Sequence, residues 1–144
     1  MLTNGYAILY NRWEENGREQ LHKTVLPAVF WQGEEEGGFA GRRYSKKGQE
    51  FLAQCLVLVP QEGLPKDKSF LPPQKWMLLP AEDKERFFTF QIGDLLVRGE
   101  GLPEQDGQDS LEPQVRRSGQ TTTLRRIHQV VTPRGGCHWE LEGI

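Results

Sequence analysis

Phe88-Thr89-Phe90-Gln91-Ile92-Gly93-Asp94-Leu95-Leu96-Val97-Arg98-Gly99 reads as two strand-forming runs divided by Gly-Asp. Glycine at the first central position supplies the positive φ of a two-residue type II′ turn, so the stretch is expected to fold back as a β-hairpin. That register pairs Ile92 with Leu95, Phe90 with Val97 and Thr89 with Arg98. Phe88, Phe90, Ile92, Leu95 and Val97 then share one face, while Thr89, Gln91 and Arg98 share the other. Only Leu96 falls on the polar side. A pairing that sorts side chains this way implies a sheet with one face against a core.

Strand signals continue on either side. Upstream, Tyr6-Ala7-Ile8-Leu9-Tyr10 is aromatic and β-branched, and Glu14 to Arg18 supplies an exposed turn. Thr24 to Trp31 reads as a second strand, in which Pro27 cannot donate to a ladder and predicts either an edge or a bulge. Phe51 to Pro60 is apolar at both parities, the pattern of a strand covered on both sides or of one closing a small barrel. Downstream, Thr121 to Thr132 and Cys137 to Glu142 form a closing hairpin around Pro133-Arg134-Gly135-Gly136. Trp139 and Leu141 face inward there, and the broken parity of Ile127 and Val130 predicts a bulge. Pro72 to Leu79 is the one helix signal, with proline in its first turn and Pro80 as its stop; Trp76 and Leu79 are placed to cap an open end of the β-core. Residues 33–48 and 99–119 read as long loops.

The 144 residues suit one domain with one core. Gly 16 and Pro 9, scattered along the chain, punctuate many short strands better than a few long helices. The expected fold is all-β and mainly antiparallel: one β-rich domain over residues 1–144, a small barrel or sandwich with one short helix and two long loops. Lys+Arg 18 against Asp+Glu 20 gives a net charge of −2, which excludes a global polycation built to coat nucleic acid. The longest apolar run, Cys55 to Val59, is far short of a spanning helix, which needs about 20 residues. No basic and apolar regions of a secretory signal precede Tyr6, so Cys55 and Cys137 are expected as free, buried thiols.

No catalytic constellation emerges. His22, His128 and His138 lie on separate segments. Cys137 and His138 are adjacent and so point to opposite faces of a strand, and no Cys-x-x-Cys or His-x-x-x-His spacing occurs. No metal and no cofactor are expected. No Gly-x-Ser-x-Gly elbow is present, Cys55 sits where a thiolate is disfavoured, and Glu34-Glu35-Glu36 and Glu82-Asp83 read as solvated charge. The glycine-rich run Gly37 to Gly41 lacks the lysine and hydroxyl of a phosphate loop. One cluster remains as a candidate contact for a partner or DNA: Arg42, Arg43, Tyr44, Lys46 and Lys47, where cations stand beside an aromatic ring.

The order of several motifs resembles a family of small phage and prophage structural proteins of Gram-positive bacteria. The motifs are Leu2-Thr3-Asn4, Val29-Phe30-Trp31-Gln32-Gly33, Cys55 to Pro60, Pro73 to Leu78 with Trp76, Phe88 to Gly99, and Gly135 to Gly143. The resemblance spans nearly the whole chain. It implies a non-enzymatic virion assembly protein, similar to head-closure or head–tail connector (neck) subunits or tail-completion proteins. The implied partners are copies of the chain in a homo-oligomeric ring and the neighbouring neck, portal or tail proteins, with DNA as a candidate contact and no membrane. The implied location is the bacterial cytoplasm during assembly and then the virion. The alternative reading is a small-barrel nucleic-acid binding module that uses the basic loop Arg42 to Lys47.

Overall fold

A computed structural model describes residues 3–33, 55–99 and 120–144. Among these residues eight strands run in chain order: β1 (Gly5–Glu15), β2 (Arg18–Gly33), β3 (Cys55–Pro60), β4 (Ser69–Phe70), β5 (Phe87–Phe88), β6 (Leu95–Gly99), β7 (Thr121–Val131) and β8 (Cys137–Gly143). Six of them close an antiparallel barrel in the order β1-β2-β3-β8-β7-β6, and β4 and β5 pair in parallel as a separate two-stranded sheet. Two short helices, α1 (Pro73–Met77) and α2 (Ala81–Lys84), lie between β4 and β5. The all-β, mainly antiparallel class expected from the sequence is the fold observed.

Side-chain alternation divides each strand between the barrel interior and its outside. Ala7 and Leu9 of β1, Leu26, Val29 and Trp31 of β2, Cys55, Val57 and Val59 of β3, Leu96 of β6, Leu124 of β7, and Trp139 and Leu141 of β8 fill the interior together with Phe88 and Phe90. The opposite face of β1, β2 and β6 carries a second buried cluster of Tyr6, Ile8, Tyr10, Leu21, Leu95 and Val97. Phe70, Phe88, Phe90 and Trp139 stack at one end of the interior. Their ring centroids lie 4.7 Å apart for Phe70 and Trp139, 5.0 Å for Phe90 and Trp139, and 5.6 Å for Phe88 and Phe90.

The expected hairpin from Phe88 to Gly99 does not form. Leu95, Leu96 and Val97 pair instead with Tyr10, Leu9 and Ile8 of β1 and with Thr123, Thr122 and Thr121 of β7. The chain does turn there, one residue earlier than expected: the Asp94 amide donates to the Gln91 carbonyl, and Gly93 sits at the third turn position with φ +95°. That placement leaves Ile92 67% exposed and sends Phe90, 2% exposed, into the barrel. It also reverses the faces: Leu96 joins Phe88 and Phe90 inside, and Leu95 and Val97 point outward.

β2 is not an edge strand, since it pairs with both β1 and β3, but the pairing with β3 begins at Phe30 and Pro27 lies before it, exposed. The ladder absorbs it by a bulge: Gly5 pairs with Val29 but Ala7 with Leu26. The bulged Ala28 carbonyl approaches Gly63 so closely that a Cβ there would lie 1.9 Å from its oxygen. The bulge expected between Ile127 and Val130 is absent, because the β7–β8 register is regular from Arg126 to Val131; the strand is instead bulged upstream, between Leu124 and Arg126. Only Asn16 and Gly17 (φ +53° and +76°) form the β1–β2 turn, so Glu14 and Glu15 belong to β1. Pro80 ends the expected helix and then caps α2, which places Glu82 and Asp83 in a helical first turn. Cys55 is buried, as expected, whereas Cys137 is half-buried; neither forms a disulfide. Phe51 to Gln54 and the two expected long loops lie largely outside the described residues.

The revised turn has a direct test. Phe90→Ala is expected to destabilise the fold by about 3–5 kcal/mol, and Ile92→Ala by no more than about 0.5 kcal/mol, in urea denaturation. Equal losses at the two positions would restore the hairpin register, in which both face the core.

Candidate functional site

The barrel is uneven at one end. β6 has 5 residues, while its neighbours β1 and β7 have 11 each. Leu95 opens β6 opposite Tyr10 and Thr123, so both neighbours run on past it. On the β1 side, side chains continue the ladder. The Arg12 amide donates to Asp94 Oδ1 at 2.9 Å, and Gln91 Nε2 donates to the Arg12 carbonyl at 2.7 Å. Asn11 faces inward and binds the plug segment as a strand would: its Nδ2 donates to the Thr89 carbonyl at 2.7 Å, and the Thr89 amide donates to its Oδ1 at 3.2 Å. Asn11 Nδ2 also meets Asp94 Oδ2 at 2.6 Å, and Gln91 Nε2 meets Asp94 Oδ1 at 2.9 Å.

Beneath this clamp lies a cationic box. Lys84 is buried, its Nζ 4.8 Å from the Trp13 ring centroid and 5.0 Å from that of Trp76. It donates to the Met77 and Leu79 carbonyls that end α1. Trp76 is fully buried but belongs to neither core cluster: its ring lies under Lys84 Nζ and 6.0 Å from that of His22, while Leu79 is half-buried. Lys68 donates to the Lys23 carbonyl at 2.8 Å and to Thr24 Oγ1 at 3.0 Å, and stands 3.3 Å from His22 Nε2. Burial holds the Lys84 ammonium below its ordinary value, with Glu15 opposing. Burial, then the Lys68 and Lys84 charges, push His22 down to about 4. Burial pushes Asp94 up to about 7 against the hydrogen bonds from Arg12, Asn11 and Gln91.

On the β7 side the ladder stops almost at once. Leu124 donates to the Asp94 carbonyl and accepts from the Gly93 amide, each within 2.9 Å. Beyond the bulge, β7 pairs only with β8, through Arg126↔Glu142, Ile127↔Leu141, His128↔Glu140, Gln129↔Trp139, Val130↔His138 and Val131↔Cys137. The Thr132 amide donates to the Gly136 carbonyl, so by antiparallel alternation the backbone groups of Ile127, Gln129 and Val131 turn away from β8. Among the described residues nothing pairs with them, and they form a strand edge. The outer face of this arm carries Arg126 beside Glu142 (3.6 Å) and His138 beside Glu140 (3.4 Å), around an open groove of about 420 Å³ that His128 and Ile127 also line.

A family model matches residues 2–144. The chain belongs to DUF6751, a family of unknown function. No curated protein and no solved structure matches this DUF6751 chain.

The structure separates the histidines as the sequence suggested for His22, which sits at the barrel mouth, but brings His128 and His138 onto one arm. Among the described residues no group of three or more His, Cys, Asp or Glu side chains is placed to hold a metal ion. Arg42, Arg43, Tyr44, Lys46 and Lys47 lie outside the described residues, so the structure adds nothing to the basic-loop reading. The hairpin expected from the sequence puts Gln91 on its polar face and Asp94 in its turn, and so hides the clamp. The one signal for it is Asn11, a polar residue at an inward position directly after the apolar run of β1.

His22 and Asp94 set opposing pH dependences. Between 3.8 and about 7 folded Asp94 keeps a proton that the unfolded chain has released, so its contribution to stability falls as pH rises. Between about 4 and 6.5 the unfolded chain protonates His22 and the folded chain does not, so that contribution rises with pH. The wild-type Tm is therefore expected to be nearly flat from pH 4 to 6.5 and to fall from there to pH 7. Asp94→Asn should leave a Tm that rises over that first range, and His22→Gln one that falls throughout. A thermal melt series in which Asp94→Asn keeps the wild-type profile would contradict the assignment.

Proposed function

We propose that this chain is a non-enzymatic assembly protein, a subunit of the head–tail connection of a phage or prophage particle. The observation that carries the reading is the β7–β8 arm, whose edge from Ile127 to Val131 has no strand partner among the described residues and lies beside a barrel filled with its own side chains. An exposed strand edge is a template for another chain, and proteins that do not use such an edge blunt it with lysine, proline or a bulge within it. Here the bulge and the arginines stop at Arg126, and the edge itself carries Ile127, His128, Gln129, Val130 and Val131. Subunits that build an assembly by adding strands need such an edge on a rigid body. The resemblance of the motif order to that of phage structural proteins supplies the context.

Co-expression with the adjoining structural genes provides the test. The chain is expected to co-sediment with assembled particles and to be found at the portal vertex or tail junction by labelling. Particles that assemble normally while the chain stays in the soluble fraction would overturn the reading.

A further inference from the structure

The free edge of β7 is nearly palindromic. Ile127 and Val131 stand at its ends and Gln129 at its centre, with His128 and Val130 between them on the other face. Val131 is 66% exposed, an uncommon position for a branched apolar residue at a strand end without cover. Ile92, 67% exposed, lies in the turn whose Gly93 binds Leu124 at the root of the same edge. The edge therefore offers hydrogen-bonding groups along its length and apolar side chains at both ends.

We infer that this edge pairs with the β7 edge of a second copy of the chain, antiparallel about a two-fold axis through Gln129. The inference rests on the assembly reading and names the partner of its free edge. Three registers let at least two of the outward-facing residues Ile127, Gln129 and Val131 meet. Centring on His128 sets the histidines of both copies against each other, and centring on Val130 brings Arg126 opposite Arg134 of the second copy, a like-charge contact. Centring on Gln129 places Ile127 opposite Val131 and His128 opposite Val130, with Arg126 opposite Thr132. It is the register in which Ile127, Gln129 and Val131 all find backbone partners and no like charges meet. The turn after β7 of one copy then arrives beside Ile92 of the other. The two arms merge into a continuous sheet, β8-β7-β7-β8. Such an isologous contact closes on itself and is distinct from the head-to-tail contact that a ring requires.

Sedimentation velocity over a concentration series tests the pairing. Wild type is expected to show a monomer–dimer equilibrium. Gln129→Pro removes an outward amide without touching the β7–β8 ladder, and Val131→Lys sets a charge against Ile127 of the second copy; each should raise the dimer Kd about tenfold or more while the circular dichroism spectrum is kept. Gln129→Cys in a Cys137→Ser background reads the register. The two introduced thiols would sit on a hydrogen-bonded pair with Cα atoms about 5.5 Å apart, within disulfide reach, and should oxidise to a covalent dimer, whereas His128→Cys should not. A monomer at every concentration, or a ring or dimer unaffected by Gln129→Pro and Val131→Lys, would overturn the pairing. The particle experiment is independent of these outcomes: a monomeric chain that still enters particles would refute the self-pairing and leave the assembly reading intact.

Discussion

A short strand between two long ones governs this structure. β6 spans Leu95–Gly99, and at its first residue β1 and β7 both continue without it. A barrel cannot leave that gap unfilled on its buried side, because unpaired backbone groups there would lose water without gaining a partner. The Gln91–Asp94 turn resolves the difficulty with side chains. Arg12 is the next residue of β1, after Ile8 and Tyr10, whose backbone faces β6, and its amide and carbonyl are taken by Asp94 and Gln91. The clamp requires a carboxylate in a buried place, which is why Asp94 is pushed toward neutrality.

The same shortness of β6 produces the plug and the free edge. Because the residues before β6 are not a strand partner for it, Phe88 and Phe90 pass into the interior, where Asn11 holds the Thr89 backbone between them. The Trp76 indole N–H donates to the Phe87 carbonyl, and Lys84 ties the end of α1 to Trp13 on β1. On the other flank no side chain among the described residues extends the ladder past Leu124, and β7 continues as a two-stranded arm with β8. Clamp and edge are two ends of one mismatch in strand length.

Much of the architecture was legible in the sequence, and the failures have physical causes. The strands of β1, β2, β3, β7 and β8, the proline-started helix and the bulge near Pro27 follow from alternation and backbone chemistry, which are local. The hairpin at Gly93 failed because a Gly-Asp pair between apolar runs serves a type II′ turn at one position and the turn seen here one residue earlier; the choice rests on Asp94 reaching Arg12, 82 residues away in sequence. Parity misled for a related reason. Leu95, Leu96 and Val97 are all buried, so alternation does not tell inside from outside where a second cluster covers the outer face. The edge of β7 could not be read from Ile127 to Val131 alone, since being unpaired is a property of what β6 fails to reach.

If the assembly reading holds, the clamp matters to function because it fixes the root of the arm: Asp94 binds Arg12 with its side chain and Leu124 with its carbonyl, joining β1 to β7 through one residue. The most direct measurement of this arrangement is hydrogen exchange at the Arg12 amide, followed by NMR. The account predicts protection comparable to Leu9 in the barrel wall, lost on Asp94→Ala while Leu9 stays protected. An Arg12 amide that exchanges in the wild-type chain as fast as Gly17 in the exposed turn would contradict it.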